Sequence, residues 1–430
     1  MHFEDVYEKY FSTNKQVIDD LISVLVSQGK QIAIWGAGQR GNAFLKVYDS
    51  QFEKIRCVYD KNEQRYGTVL ETGHSIVDYR SDVADVVFIM NNAHEMSTKE
   101  LLVENNSRAL VINIDNIILG NLTVDDVLKV QKFDLAPVRN IKVAAIVILY
   151  NPEDVVYDNI MTYASKVDYL YIYDNSSIPN DMIKRNAEDL KNVIYIEDSS
   201  NAGLPKAINI VAREAIKKGI KWLITFDQDS QAGKSMIERM IAFANSSICD
   251  DRVGIIAPNI TREDDIIFER HYTYFDKVFQ SGAMHNLDIL EKVGGYDEKL
   301  FIDQVDYEYC IRLRLSGYTI VKVNNAFLKH NLQDDEGVEE KFVNGKKMVI
   351  NKYSKNRYYY ICRNNLYLCE KYKECAPVYA KECYDNIVWL KNNAEIDVAR
   401  QEHIEAIEKA YFDYENGVMG KVDWVKNQEV

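Results

Sequence analysis

The chain has 430 residues, 47% apolar and 27% charged, enough for about three ordinary domains with well-filled cores, so disorder on a large scale is excluded. Lys and Arg number 52 against 66 Asp and Glu, a net charge of −14, and a chain this acidic is a poor general partner for nucleic-acid phosphates.

The start, Met1-His2-Phe3-Glu4-Asp5, lacks the basic flank and apolar core of a secretory leader. Apolar runs then predict strands at Gln31–Trp35, Arg56–Tyr59, Val86–Met90 and Ala109–Ile112, with helical stretches between them. Directly after the first run stands Gly36-Ala37-Gly38-Gln39-Arg40-Gly41, a Gly-x-Gly-x-x-Gly turn leading into a helix. Such glycines let backbone N–H groups approach a phosphate, and Asp60 ends the next strand where a dinucleotide site keeps its ribose-binding acid. The same turn also serves plain strand-to-helix packing, and no hydride-transfer set such as Tyr-x-x-x-Lys follows it. The stretch Val58-Tyr59-Asp60-Lys61-Asn62, then Gly67 and Thr72-Gly73-His74-Ser75-Ile76, resembles small Rossmann-like domains attached to sugar-modifying enzymes. Nucleotide binding by Gly36, Gly38, Gly41 and Asp60 and a purely structural role both stay open.

The first proline of the chain, Pro137, lies in Phe133-Asp134-Leu135-Ala136-Pro137-Val138-Arg139-Asn140 and marks a linker at 131–140. Beyond it, strands are predicted at Val143–Tyr150, Tyr169–Tyr173, Val193–Ile196, Trp222–Phe226 and Val253–Ala257. The run Val143–Tyr150 is the longest unbroken apolar stretch, far short of the about 20 residues of a membrane helix. Alternating strands and helices imply mostly parallel sheets with ligands at the C-terminal strand ends.

Several strand ends carry polar groups suited to chemistry. Trp222-Leu223-Ile224-Thr225-Phe226-Asp227-Gln228-Asp229-Ser230 ends an apolar strand in two acids at i and i+2, which strand alternation would aim to one side. Two hard oxygen ligands suit Mg²⁺ or Mn²⁺, although an Asx-type turn explains the triplet equally well on its own. Around it stand Tyr150-Asn151-Pro152, then Tyr173-Asp174-Asn175-Ser176-Ser177 and Asn201-Ala202-Gly203-Leu204-Pro205-Lys206. Ser281-Gly282-Ala283, Gly294-Gly295-Tyr296-Asp297 and Asp303-Gln304-Val305-Asp306-Tyr307-Glu308 follow, the last leading to Arg312.

In this order the series resembles the family-2 inverting glycosyltransferases of GT-A fold, and most of all their bacterial rhamnosyltransferase branch. The likeness spans about residues 141–330 and runs on more loosely through Arg357-Tyr358-Tyr359-Tyr360 and Arg363-Asn364 to Gly417-Val418-Met419-Gly420. It implies an α/β chain of three parts: a Rossmann-like domain at 1–130, a GT-A catalytic domain at 141–335, and a basic, tyrosine-rich and helical region at 336–430. Tyr150, Asn151, Asp174, Asn201, Gly203, Lys206, Asp227, Ser281 and Gly282 would line the donor, with Asp174 on the base or ribose. Asp227 and Asp229 would hold the divalent ion on the donor diphosphate, where a cation neutralises the departing charge. His330 stands where the family keeps a histidine of the metal or diphosphate site, although a lone histidine is more often structural.

Asp306 is the favoured general base, with Glu308 second. Ile311, Leu315 and the stop at Gly317 imply a helix through this stretch. Glu308 and Arg312 sit at i and i+4, the spacing of a surface ion pair, and Asp303 has the position of an N-cap. Asp306 falls near the helix start, where free N–H groups orient a carboxylate. One base without a covalent partner gives inversion.

From Lys341 to Arg363 there are seven basic residues and no acids. A charge run is usually a solvated face. Here, with Asp303, Arg357 and Arg363 as weaker candidates, it also fits a pyrophosphate-linked or polysaccharide acceptor and contact with anionic headgroups. Of Tyr353, Tyr358, Tyr359 and Tyr360, at least two belong to a core. Seven cysteines without a Cys-x-x-Cys pair indicate reduced thiols of a cytoplasmic protein, peripheral at most to the inner face of the membrane. The expected activity is metal-dependent transfer from dTDP-rhamnose, or from a UDP-hexose or UDP-galactofuranose, and a homodimer is compatible with the terminal helices. The competing classes are an NAD-dependent sugar oxidoreductase or epimerase built on the glycine loop, and a non-catalytic scaffold.

Overall fold

A computed structural model of the chain describes residues 5–13, 15–81, 84–90, 95–105, 107–129, 141–260, 270–330, 338–343, 346–351, 353–396 and 399–422. Two units separate: Met1–Lys132 with Thr273–Asp276, and Phe133–Tyr272 with Lys277–Val430. The linker expected at 131–140 lies outside the described residues, as do 331–337 and Lys352, together with the side chains of Lys341, Lys346 and Lys347.

In the first unit the predicted apolar runs form β1 (Ile32–Trp35), β2 (Cys57–Tyr59), β4 (Val86–Ile89) and β5 (Leu110–Asn113), joined by the short β3 (Ile76–Val77). All pair in parallel, in the order β3-β2-β1-β4-β5. The glycine turn is drawn in on itself. Gly36 has φ +99, and a Cβ on Gly41 would overlap the Gly36 carbonyl, so Gly41 is needed for the helix to lie close against the strand. Asp60 accepts N–H bonds from Ala37 (2.9 Å) and Asn62 (2.9 Å), and Arg65 donates to the Ala37 carbonyl (2.9 Å). The acid therefore secures the loop's own backbone.

The second unit contains β6 (Val143–Leu149), β7 (Tyr169–Asp174), β8 (Val193–Glu197), β9 (Trp222–Asp227), β10 (Ser230–Ala232) and β11 (Val253–Ile260). Beyond β12 (Tyr272–Phe275), most of which belongs to the first unit, come β13 (Met284–Asn286) and β14 (Thr319–His330), while β15 (Val338–Val343) and β16 (Lys346–Asn351) form a separate antiparallel ribbon. The main order is β10-β14-β11-β13-β9-β6-β7-β8. Its half around β6 is parallel, and β6 itself is buried and apolar along its whole length, as a strand covered on both faces must be. Register pairs Leu149 with Asp174 and Ile148 with Asp227, which sets the ends of β6, β7 and β9 along one edge.

Three helices, Lys355–Tyr372, Pro377–Ile396 and Arg400–Glu415, complete the unit. Tyr358, Tyr359 and Tyr360 are buried in their shared core, and Tyr358 stacks on His403 at 3.9 Å. Arg363, considered above as an acceptor or phosphate ligand, is wholly buried instead. It donates to the Gly420 carbonyl (2.7 Å), the Leu300 carbonyl (3.3 Å) and Asn364 Oδ1, because a buried guanidinium must spend its donors on fixed acceptors.

The stretch expected to be helical throughout starts later. Phe301, Asp303 and Gln304 have φ of 65, 62 and 62, and the helix runs Val305–Leu315. Asp303 is therefore not an N-cap; its Oδ1 lies 3.9 Å from Arg357 Nε. Glu308 is no surface ion pair either, being entirely buried. Its oxygens accept from Arg312 Nε and Nη2 (2.8 Å each), Lys371 (2.9 Å) and Tyr372 (2.7 Å). Burial would raise its pKa, but Arg312 and Lys371 outweigh burial and lower it.

A buried carboxylate shared by two cations is costly to break from one side. Replacing Glu308 by Gln, which keeps its shape, leaves Arg312 and Lys371 uncompensated and should cost about 3–5 kcal/mol in denaturant unfolding. Because folding lowers this pKa, the stabilisation is present at neutral pH and fades as acid protonates the group. A wild-type denaturation midpoint for Glu308→Gln would show that the charge pairing contributes nothing.

Candidate functional site

Strand β9 ends at Asp227, so the two acids do not share a face by strand alternation as expected. Gln228 and Asp229 form a tight turn, and β10 then runs back antiparallel to β14, pairing Ser230 with His330. This pairing brings in a histidine a hundred residues away. Ligand atoms of Asp227, Asp229 and His330 lie within 4.8 Å of one another. Asp229 Oδ1 is 3.2 Å from His330 Nδ1, and Ser230 Oγ is 2.7 Å from the same nitrogen.

The turn is secured from below. Tyr150 donates its N–H to Gln228 Oε1 (2.9 Å), and Asn159 Nδ2 donates to the Gln228 carbonyl (2.8 Å). Gln280–Ala283 is strapped to β9: Asp227 N–H donates to Ser281 Oγ (3.0 Å), and Gly282 N–H to the Thr225 carbonyl (2.7 Å). Gly282 has φ +78, and a Cβ there would meet Pro258 at 2.8 Å. Only glycine fits without strain.

Gln280, which sequence reading passed over, links the acids. Its side-chain amide donates to Asp227 Oδ1, and its backbone N–H donates to Asp306 Oδ2 (3.3 Å). Asp306 Oδ1 accepts the Tyr307 N–H (2.9 Å). Its place directly before the quoted Ser281-Gly282 pair was the only signal for Gln280. Both acids keep part of their surface exposed while their carboxyl ends are enclosed. Burial therefore pushes the Asp306 pKa up to about 6. Asp227 is raised chiefly by burial too, with Asp229 and Asp306 adding and His330 opposing. On His330 burial acts to lower the pKa, but the bond to Asp229 prevails and raises it.

The remaining sequence candidates fall at several places. Asp174 is fully buried, accepting the Ser176 N–H (2.9 Å) and the Tyr195 hydroxyl (2.6 Å). Contact with a donor base, as the resemblance implied, would require Tyr195 to move away. Asn151 has φ 44 and gives its N–H to Ser176 Oγ (2.7 Å), while the Tyr150 side chain is exposed. Asn201 has φ 50, and Lys206 is exposed on the first turn of the helix Leu204–Lys217. A Cβ on Gly203 would strike Phe301 at 2.5 Å, so this loop packs directly on the segment before Asp306. Glu308, the second base candidate, is withdrawn from the site by Arg312 and Lys371 as described.

Chemically, two carboxylates and an imidazole offer hard oxygen and nitrogen ligands to a divalent cation. A third carboxyl, with a pKa near neutrality, stands one glutamine away.

Residues 144–309 match the family model described as glycosyl transferase family 2, and residues 1–100 match a C-methyltransferase C-terminal domain. The dTDP-rhamnosyl transferase RfbF of Shigella flexneri is 28% identical over 211 residues, covering 45% of this chain and 71% of RfbF. Among solved structures, S. aureus TarS in complex with UDP-GlcNAc has a TM-score of 0.41 at 12% identity, covering 63% of this chain and 80% of TarS. GalNAc-T7 with UDP, GalNAc and Mn²⁺ has a TM-score of 0.39 at 13% identity; 64% of this chain is covered, but only 58% of that one. The matched segment contains Asp174, Asp227, Asp229 and Asp306, so residues 144–309 carry a family-2 glycosyltransferase domain similar to a rhamnosyltransferase, within an α/β chain that ends in a helical region.

Proposed function

We propose that this enzyme transfers a sugar, rhamnose favoured, from a nucleoside-diphosphate donor to a surface-polysaccharide or lipid-linked saccharide acceptor, with inversion. The observation that carries the reading is the clustering of Asp227, Asp229 and His330 ligand atoms within 4.8 Å, joined through Gln280 to Asp306. The donor set fits Mg²⁺ or Mn²⁺: two carboxylates and an imidazole converge, burial raises the Asp227 pKa, and a cation there would favour its ionised form. When bound, the ion neutralises charge on the leaving diphosphate.

The chain's own residues do the rest. Asp229, the more exposed acid, faces the diphosphate, while Asp227 is held in place by Gln280. Asp306 accepts the proton of the acceptor hydroxyl as that oxygen attacks the anomeric carbon from the face opposite the leaving group. Its two N–H bonds, from Gln280 and Tyr307, aim the carboxylate and keep it from swinging. The likeness to RfbF favours dTDP-rhamnose, with UDP-sugars next. We take residues 1–130 as a Rossmann-like domain, 141–335 as catalytic and 336–430 as the acceptor-side region. Among the described residues no helix is long and apolar enough to cross a membrane; the six positive residues from Lys341 to Arg357 favour an anionic, lipid-linked acceptor. The dehydrogenase reading is disfavoured because Asp60 already holds the Ala37 N–H.

Calorimetric titration with dTDP, UDP and NAD, each with and without Mn²⁺, tests the site directly. Metal-dependent diphosphate binding should appear and be lost in Asp229→Ala; NAD binding without metal, with no response to either diphosphate, would overturn the assignment. Asp306→Asn should lower kcat by about 10²–10⁴-fold while leaving dTDP affinity intact, and unimpaired turnover would remove Asp306 as the base. Because burial keeps Asp306 protonated to higher pH than an ordinary carboxyl, kcat should rise with pH through about 6 and lose that limb in the Asn variant.

A further inference from the structure

The segment that delivers Asp306 to the site is built against its own backbone preference. Phe301, Asp303 and Gln304 all have left-handed φ, with Ile302 between them, and none is glycine. Each such residue costs of order 1 kcal/mol and persists only where the surroundings impose it. The carbonyls of this segment also precede the first helical turn and must find donors elsewhere.

Asn364, wholly buried on the helix Lys355–Tyr372, supplies them. Its Nδ2 donates to the carbonyls of Leu300 (3.1 Å), Ile302 (2.6 Å) and Asp303 (3.0 Å). The orientation of an amide follows from its bonding network, and here it is set by the neighbouring guanidinium. Asn364 Oδ1 accepts from Arg363 Nε (3.2 Å) and Nη2 (2.9 Å), which turns the NH₂ toward the loop. Arg363 is itself fixed by the Gly420 carbonyl. On the far side, Tyr379 donates to Gln304 Oε1 (3.2 Å).

We propose that Asn364 is a positioning residue for the transfer reaction: held by Arg363, it keeps Phe301, Asp303 and Gln304 left-handed so that Asp306 meets the Gln280 N–H and faces the donor. Asn364 touches neither acid of the site, and acts through the backbone. The inference rests on Asp306 being the base. With the amide gone, the Ile302 and Asp303 carbonyls lose this donor, while Leu300 keeps Arg363 and the Ile302 N–H; the loop relaxes toward negative φ, and the first turn carrying Asp306 shifts.

The test uses the full chain with Mn²⁺ and dTDP-rhamnose, water serving as acceptor and released dTDP as the readout. Asn364→Ala should lower kcat about 10²-fold, the effect of an ångström-scale misplacement, with donor KM and dTDP affinity within about twofold of wild type. Adding Gln304→Gly, which tolerates left-handed φ freely, should recover part of kcat. If Asn364→Ala does not fold, Asn364→Ser retains a small donor and carries the same measurements. An unchanged kcat with only a lower melting temperature, or dTDP affinity falling as far as kcat, overturns the inference. Hydrogen exchange separates it from the functional reading. Amides of 299–306 should exchange faster in the variant while those of β9 do not, even if the wild-type chain releases no dTDP and the donor assignment fails. Unaltered exchange there overturns the clamp whatever the donor, and an active Asp306→Asn removes the base and this inference with it.

Discussion

A carboxyl group at the mouth of a site is only as well placed as the backbone beneath it, and here that backbone is held by the C-terminal helices. Lys371 and Tyr372 grip Glu308, one turn into the helix that carries Asp306, and Arg363 and Asn364 grip the loop before it. Lys371 and Tyr367 also bond Asp297, at the start of the same excursion. One helix thus supports the proposed base from both sides. Buried ion pairs seldom add net stability over apolar packing, but they are unforgiving about geometry. That intolerance suits a segment where three residues must stay left-handed.

The opposite half of the site depends on sheet register. The ends of β7 and β9 fall level because β6 pairs with both in parallel, so acids from separate strand ends share one edge. The metal-ligand candidates then need only one further element, the reversal after Asp227 that sets β10 beside β14. Ser230 does double service there, meeting Ser281 Oγ at 2.7 Å and His330 Nδ1 at the same distance. A polar chain therefore runs from the Asp227 backbone through Ser281 and Ser230 to His330 and Asp229. The Ser230–Ser281 link is short and buried, a condition under which hydrogen bonds orient their partners firmly, and the chain opens toward the exposed Asp229.

Much of this was legible in the amino-acid order. Apolar runs located β1, β2, β4, β5, β6, β7, β8, β9 and β11 to within a few residues, because buried parallel strands must be apolar on both faces. Acids at strand ends, glycines in loops and the Asp306 position near a helix start were likewise visible from local pattern. What escaped was set by distant partners. Glu308 looked like one half of an ordinary surface pair because Arg312 is four residues away; Lys371 and Tyr372, which bury it, are more than sixty away. Arg363 carries a charge that normally signals exposure, and its acceptors are carbonyls that no sequence pattern marks. Gln280 is marked only by its place before the Ser281-Gly282 pair. Its role arises only where β9 and the base-bearing helix converge.

The electrostatics tie these parts together. Two carboxyl groups gather around one imidazole with a third joined to them through Gln280, and burial raises the pKa of both Asp227 and Asp306. Such a cluster repels a diphosphate as long as it stands alone, since anionic oxygens would approach two or three further negative groups in a poorly solvated cleft. A divalent cation reverses the sign of the field at Asp227 and Asp229 and leaves Asp306 less crowded by its own kind. Cation and nucleoside diphosphate should therefore bind as a linked pair, each improving the site for the other. Asp306, held by amides rather than by a counter-cation, keeps the pKa of about 6 to which burial raises it. A carboxylate salt-bridged as Glu308 is would be too weak a base to take a hydroxyl proton. By spending its cations on Glu308 and only neutral donors on Asp306, the fold keeps one acid inert and the next one basic.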